Sequence, residues 1–252
     1  DHRIIEAHRG YIKCAAAFDD VGQVIKDYRS DLARNPDDPV LLYAVGLCLT
    51  YMDSPEAIKE SEKFIREAIR RNGRIEYFHQ TLGYVYEVSE TIYGWDNRIE
   101  LALASYQKAF FLNDPGENTE NAANLALNIG NAFYLLKQYG KALEFYTLRM
   151  AYDIEFDVPD TEIVYHKRMG ECAFQSGDLD TTIGALTSLR DLIESRMDPV
   201  AASRTFDRLH RYVMDRIVAP ASKQPQRAAK ADALASMQSE NSLRVAGLTR
   251  DA

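Results

Sequence analysis

Four glycines constrain this chain more than any other feature. Gly46, Gly83, Gly130 and Gly170 each lie inside apolar residues at helical spacing, and a second helical run follows each of them. Glycine in a helix interior is about 1 kcal/mol less favourable than alanine, so its return at one place in every second helix needs a physical reason. A missing side chain lets a second helix approach closely.

The clearest unit runs from Ala123 to Glu155. Leu127, Ile129, Gly130 and Phe133 fall on one helix, a turn is expected at Gln138-Tyr139-Gly140, and Ala142, Phe145 and Tyr146 fall on the next. With Ala123 as position 1, Gly130 is position 8, and Gly46, Gly83 and Gly170 are position 8 of units starting at Pro39, Glu76 and Ile163. Ser61, Ile65 and Ala68 form the second helix after Gly46, about three residues late. Ala102, Tyr106 and Ala109 do so after Gly83, about seven late, and Thr182, Leu186 and Leu189 follow Gly170 in step. A unit from Ile5 to Asp38 has Val24, Tyr28 and Asn35-Pro36, with Ile12 in the glycine's place. No stretch shows the sustained alternation of a strand.

The words Asn128-Ile129-Gly130-Asn131-Ala132-Phe133 and Lys141-Ala142-Leu143-Glu144-Phe145-Tyr146 resemble the tetratricopeptide repeat, a unit of about 34 residues. That family has Gly or Ala at position 8, an aromatic at 11, Ala at 20, an aromatic at 24 and often Pro at 32. The resemblance implies an all-α fold, a right-handed superhelical solenoid of about five hairpins over residues 5–196, with units starting near 5, 39, 76, 123 and 163. An open solenoid exposes the apolar flank of its last hairpin. A capping helix is expected over 197–219, where Val200, Phe206, Leu209, Tyr212, Val213 and Ile217 recur at helical spacing. Residues 220–252 read as a low-complexity or weakly helical tail.

Cys14, Cys48 and Cys172 all fall at position 10, where the other units carry Val85 and Ala132. Three cysteines cannot all pair, and none stands in a C-x-x-C spacing. Small apolar packing is expected of all three, and core positions of Tyr28, Tyr86, Tyr106 and Tyr146.

Charge narrows the partners. The net charge of −8 argues against nucleic acid, whose binding proteins present a basic face. From Pro220 onward five basic residues face three acidic ones, so a +2 tail follows a −10 body. No window reaches the roughly 18 apolar residues of a membrane span, so no membrane insertion is expected. No basic, apolar leader is visible, so a soluble, cytoplasmic protein is expected rather than an exported one. The chain opens on Asp1 and runs directly into helical pattern at Ile4-Ile5, as a segment of a longer polypeptide would.

Catalytic wording is absent. The five histidines form no H-E-x-x-H, and there is no phosphate loop, no G-x-G-x-x-G and no G-x-S-x-G. Asp19-Asp20 and Asp37-Asp38 read as helix N-caps between helices. The expectation is a non-enzyme with no cofactor and no metal.

The resemblance implies that the first helix of each unit lines a concave groove. Its positions hold Arg9 and Lys13 in the first unit, Tyr43, Leu47 and Tyr51 in the second, and Tyr77, Gln80 and Tyr84 in the third. The fourth gives Asn124, Asn128, Asn131 and Tyr134, and the fifth Lys167, Arg168, Glu171 and Phe174. Tyrosines supply area at low entropic cost and amides bond a peptide backbone, so a protein or peptide partner is expected. Some relatives clamp a C-terminal carboxylate. Asn131 and Arg168 match isolated parts of that set, but Leu127 stands where a lysine is needed, and the clamp is not implied. The lengthened turn from Glu87 to Ile99 carries Trp95, either as a binding loop or as packing that closes two longer helices. Two other roles stay open: a self-assembling module, associating through a flank or the tail, and a regulatory module of a larger protein. The tail is expected to border or fill the groove.

Overall fold

The computed structural model describes residues 2–156 and 158–196. These form ten helices with no strand: α1 (His2–Ala17), α2 (Val21–Arg34), α3 (Pro39–Thr50), α4 (Pro55–Arg71), α5 (Glu76–Thr91), α6 (Ile99–Leu112), α7 (Thr119–Leu135), α8 (Tyr139–Ala151), α9 (Pro159–Gln175) and α10 (Leu179–Arg196). The chain divides into two compact units, Asp1–Ile154 with α1 to α8, and Glu155–Ala252 with α9 and α10. The expected capping helix over 197–219 and the tail over 220–252 lie outside the described residues.

Short-range chemistry sets the helix ends. Asp38 accepts from the backbone N–H of Val40 at 2.7 Å and of Leu41 at 3.3 Å, with Pro39 opening α3. Ser54 accepts from Ala57 N–H at 3.1 Å ahead of Pro55 and α4, and Asn118 caps α7 through Asn121 N–H at 3.0 Å. Each cap satisfies a donor the helix leaves unpaired. Asp20 stands at the N-cap of α2 without a side-chain cap bond, so the capping expected of the aspartate pairs is made by Asp38 and not by Asp20. The turn expected at Gln138-Tyr139-Gly140 falls slightly earlier: α8 begins at Tyr139, and Lys137 takes the left-handed conformation with φ 58°.

Helices pack as neighbours in sequence, α3 on α4, α5 on α6, α7 on α8, and α9 on α10. The glycines sit where these pairs touch. A Cβ added at Gly83 would lie 2.5 Å from ring carbons of Tyr106, one at Gly130 would lie 2.8 Å from ring carbons of Tyr146, and one at Gly46 would lie 2.6 Å from Ile65 Cδ1. None of these separations is sterically open to a side chain. Tyr28, Tyr86, Tyr106 and Tyr146 are buried, as their core positions require.

Cys48 and Cys172 are buried, but Cys14 is exposed, which corrects the expectation for the first unit. Helix α1 buries Ile5, Ile12 and Ala15. Cys14 lies two residues beyond Ile12, a rotation of roughly 200° on a helix, and so falls outside that stripe.

Candidate functional site: a cleft on the faces of the odd-numbered helices

Within the first unit, α1, α3, α5 and α7 together line a cleft of about 300 Å³. Six residues expected in a groove meet there: Arg9, Leu47, Tyr51, Gln80, Tyr84 and Asn128. Thr50 and Thr81 complete the wall. Tyr51 and Tyr84 are 47% and 46% exposed, and burial of their remaining surface raises both phenols above the ordinary tyrosine value. Both hydroxyls therefore stay protonated and able to donate at neutral pH. The Thr50 hydroxyl is spent on Leu47 C=O at 2.7 Å. Gln80 is 8% exposed, yet its side-chain carbonyl oxygen accepts no hydrogen bond from the described residues. A buried acceptor left unpaired is unfavourable by about 1–3 kcal/mol, and Gln80 is one of the residues lining the cleft.

Tyr43 and Tyr77 were expected to face the groove, and the structure corrects this. Tyr43 is wholly buried and Tyr77 nearly so. The reason is α1, whose polar side chains bond to the hydroxyls of both tyrosines. Arg9 donates to the Tyr43 hydroxyl at 2.7 Å, and its guanidinium lies 4.4 Å from the centre of the Tyr77 ring. The Tyr43 hydroxyl also meets Thr81 Oγ1 at 3.3 Å. Tyr77 donates to Glu6 at 2.8 Å and accepts from Asn118 at 2.7 Å, while Asn118 also donates to Glu6 at 3.1 Å. Burial, reinforced by the Glu6 carboxylate, pushes the Tyr77 phenol well up. Burial alone would favour loss of the Arg9 proton, but the surrounding tyrosine oxygens outweigh it and the net shift is upward. Arg9 is thus a permanent cation on one wall of the cleft.

Solved structures place this architecture. No protein-family model matches the sequence, and no curated protein matches it. Among solved structures, PilW, titled a widely conserved type IV pilus biogenesis factor, superposes with a TM-score of 0.59 at 14% identity over 92% of this chain and 91% of its own. TTC0263, a thermophilic TPR protein in Thermus thermophilus, gives 0.50 at 17% identity, covering 75% of this chain and 91% of its own. YrrB, described as a TPR protein with an unusual peptide-binding site, gives 0.53 at 16% identity, covering 73% and 84%. The fold is the tetratricopeptide-repeat fold. At these identities the likeness is one of architecture.

Not every residue expected to line the tetratricopeptide groove does so. Lys13 and Asn124 are exposed but stand outside the cleft lining. Asn131 accepts from the Tyr146 hydroxyl at 2.9 Å, and the Tyr134 ring meets Tyr139 edge-on at 5.9 Å. Lys167, Arg168, Glu171 and Phe174 lie on α9 in the second unit. Lys167 is exposed, but Glu171 is buried, which corrects its placement on an open face. Trp95 is half-buried against Ile58, Val85 and Val88, with Tyr93 beside it at 5.9 Å and Lys59 Nζ 5.0 Å from its ring centre. The Glu90 carboxylate accepts from Arg98 and Ile99 N–H at 2.5 and 2.9 Å, tying the end of α5 to the start of α6. The lengthened turn is thus packed down, with Gly94 (φ 69°) and Asn97 (φ 61°) supplying its left-handed bends.

Thr50, Thr81 and Glu6 escaped the sequence reading. Glu6 had a usable signal, since it precedes Arg9 by three residues and so shares its helix face. Among the described residues no helix is long and apolar enough to cross a membrane, and no group of three or more His, Cys, Asp or Glu could hold a metal.

Proposed function

We propose that the chain is a non-catalytic protein-interaction scaffold that holds a peptide of a partner protein in the cleft of the odd-numbered helices. The observation that carries this reading is the Gln80 carbonyl, buried and without a partner among the described residues, on a residue that lines a cleft between two half-exposed tyrosines and a fixed cation. A peptide backbone N–H would pair it, and Tyr51 and Tyr84 would cover the peptide's apolar side chains. Arg9 favours an acidic or carboxylate-bearing ligand. A peptide-binding site in YrrB, on the same fold, supports the assignment. The repeat array is read as five units starting near residues 5, 39, 76, 123 and 163.

The test is selection from a displayed library of random peptides, followed by calorimetry with the selected sequences. Tyr84→Ala and Gln80→Leu are each expected to weaken binding tenfold or more, with helical content unchanged. Peptides that bind parent and both variants equally would sink the assignment.

A further inference from the structure

A second and larger groove lies on the first unit, away from the cleft. It runs between α4 and α6 over a floor from α5, with a volume of about 1160 Å³. Six cations line it: Lys59, Lys63, Arg66 and Arg70 of α4, Arg98 ahead of α6, and Lys108 of α6. Among the described residues the carboxylates in the lining are Glu62 and Glu67, so the lining carries a surplus of +4 on a chain whose net charge is −8. The spacing of 59, 63, 66 and 70 sets the α4 cations on one face. Burial of α4 rests on Ala57, Ile58, Ser61, Ile65 and Ala68, and of its cations Lys59 also lies over the Trp95 ring.

The two carboxylates brace cations rather than cancel the surplus. Glu62 accepts from Arg66 at 3.4 Å and from Arg98 at 3.1 Å, so one acid holds two guanidiniums from different elements. Glu67 accepts from Arg70 at 2.5 and 2.8 Å and from Arg71 at 2.7 Å, and these bonds hold its carboxyl at about 2. It therefore remains an anion throughout the neutral range. Lys59, Lys63 and Lys108 make no ion pair among the described residues. Held guanidiniums lose less freedom when they bind an anion. The lining is also apolar in part: Leu82 and Tyr86 of α5 are buried at the floor, while Leu101 and Ala104 of α6 are exposed on the wall.

We propose that this groove docks an acidic amphipathic segment of a partner protein, its carboxylates on the cations of α4 and α6 and its apolar side chains on Leu101 and Ala104. Charge complementarity selects the acidic ligand, and it speeds and orients docking more than it adds affinity. The apolar lining selects a peptide over a nucleic acid, whose binding rests on phosphate contacts.

The experiment uses fluorescence anisotropy on the full chain with three probes: a helical peptide of glutamate and leucine, the same peptide with every leucine changed to glutamine, and a single-stranded oligonucleotide. The leucine peptide should bind, at least tenfold more tightly than the glutamine version, and weaken with added salt. Lys63→Glu combined with Lys108→Glu should weaken it at least tenfold, and Leu101→Ala several-fold, with circular dichroism unchanged. Both sites are on the surface, so either variant alone keeps the test decisive if the other misfolds. Tyr84→Ala, in the separate cleft, should leave this affinity unchanged. Equal binding of leucine and glutamine peptides, tighter binding of the oligonucleotide, or loss with Tyr84→Ala but not with the charge reversal would overturn the proposal.

Discussion

The hairpins α5/α6 and α9/α10 are built on the same glycine, and they use it differently. At Gly83 the facing side chain is the Tyr106 ring, fully buried and fixed by a hydrogen bond of 2.8 Å from its hydroxyl to Glu87. A Cβ at Gly83 would meet that ring at 2.5 Å, while one at Gly170 would find Ala185 Cβ at 3.5 Å and Leu186 at 3.7 Å, ordinary contact distances. A glycine in a repeat therefore marks close contact only where the side chain opposite reaches the helix backbone, as the Tyr106 and Tyr146 rings and Ile65 do. With Leu186 in place of the aromatic, the glycine remains but the close approach is gone.

The comparison is most exposed to thiol chemistry. Burial pushes both Cys48 and Cys172 up to about 12, which leaves roughly one thiol in ten thousand ionised at pH 8. Cys14 should label at once, and the other two only through opening of the structure. Cys172, in the looser hairpin, should label faster than Cys48 in α3/α4, where Gly46 is crowded by Ile65. Equal native rates for Cys14 and Cys48 would remove the burial argument.

Substitution at the glycines comes next in size. Gly83→Ala should destabilise the protein by about 1–3 kcal/mol, because the Tyr106 ring cannot give way. Gly130→Leu should do at least as much against Tyr146. Gly170→Ala should instead be neutral or stabilising by up to about 1 kcal/mol, since helix propensity gains without a clash. Urea midpoints measure all three, and the two alanine variants must differ in sign or nearly so.

The smallest effect is on pH dependence, with one histidine in each hairpin. Burial lowers the pKa of His79 on α5 and of His166 on α9 below the ordinary histidine value. The unfolded chain then binds protons first as pH falls. The contribution is complete above about pH 6.5 and is lost progressively below it. His79→Gln and His166→Gln should each flatten the fall in urea midpoint between pH 7.5 and 5.5. A slope unchanged in both variants would assign the acid sensitivity to carboxylates.

The repeat could be read from sequence because its determinants are local and steric: a glycine, an aromatic and a proline at fixed offsets imply the hairpin before any tertiary contact is known. The cleft could be read in part. Arg9, Leu47, Tyr51, Gln80, Tyr84 and Asn128 follow from helix periodicity, because the first helix of each unit turns the same face inward. The burial of Tyr43 and Tyr77 could not, because it depends on Arg9 and Glu6 reaching them from α1, 34 and 71 residues away. No periodicity encodes a contact of that range. The basic groove was half legible, since the α4 stripe is a simple helical spacing, but Arg98 and Lys108 join it only once α6 is placed beside α4.

The contact among Glu6, Tyr77 and Asn118 changes how the first unit must come apart. In a solenoid each repeat touches only its neighbours, so stabilities add along the chain and a terminal helix is free to fray alone. The bond between Glu6 and Asn118 joins residues 112 positions apart. Closing so long a loop is entropically unfavourable, and the penalty grows only slowly with length, so this contact forms after the intervening hairpins have shortened the path. While it is made it holds α1 against fraying, so the amides of α1 should exchange faster in Asn118→Ala, which loses the bond, than in the parent. A chain of nearest neighbours acquires in this way a term that joins its first hairpin to the start of its fourth.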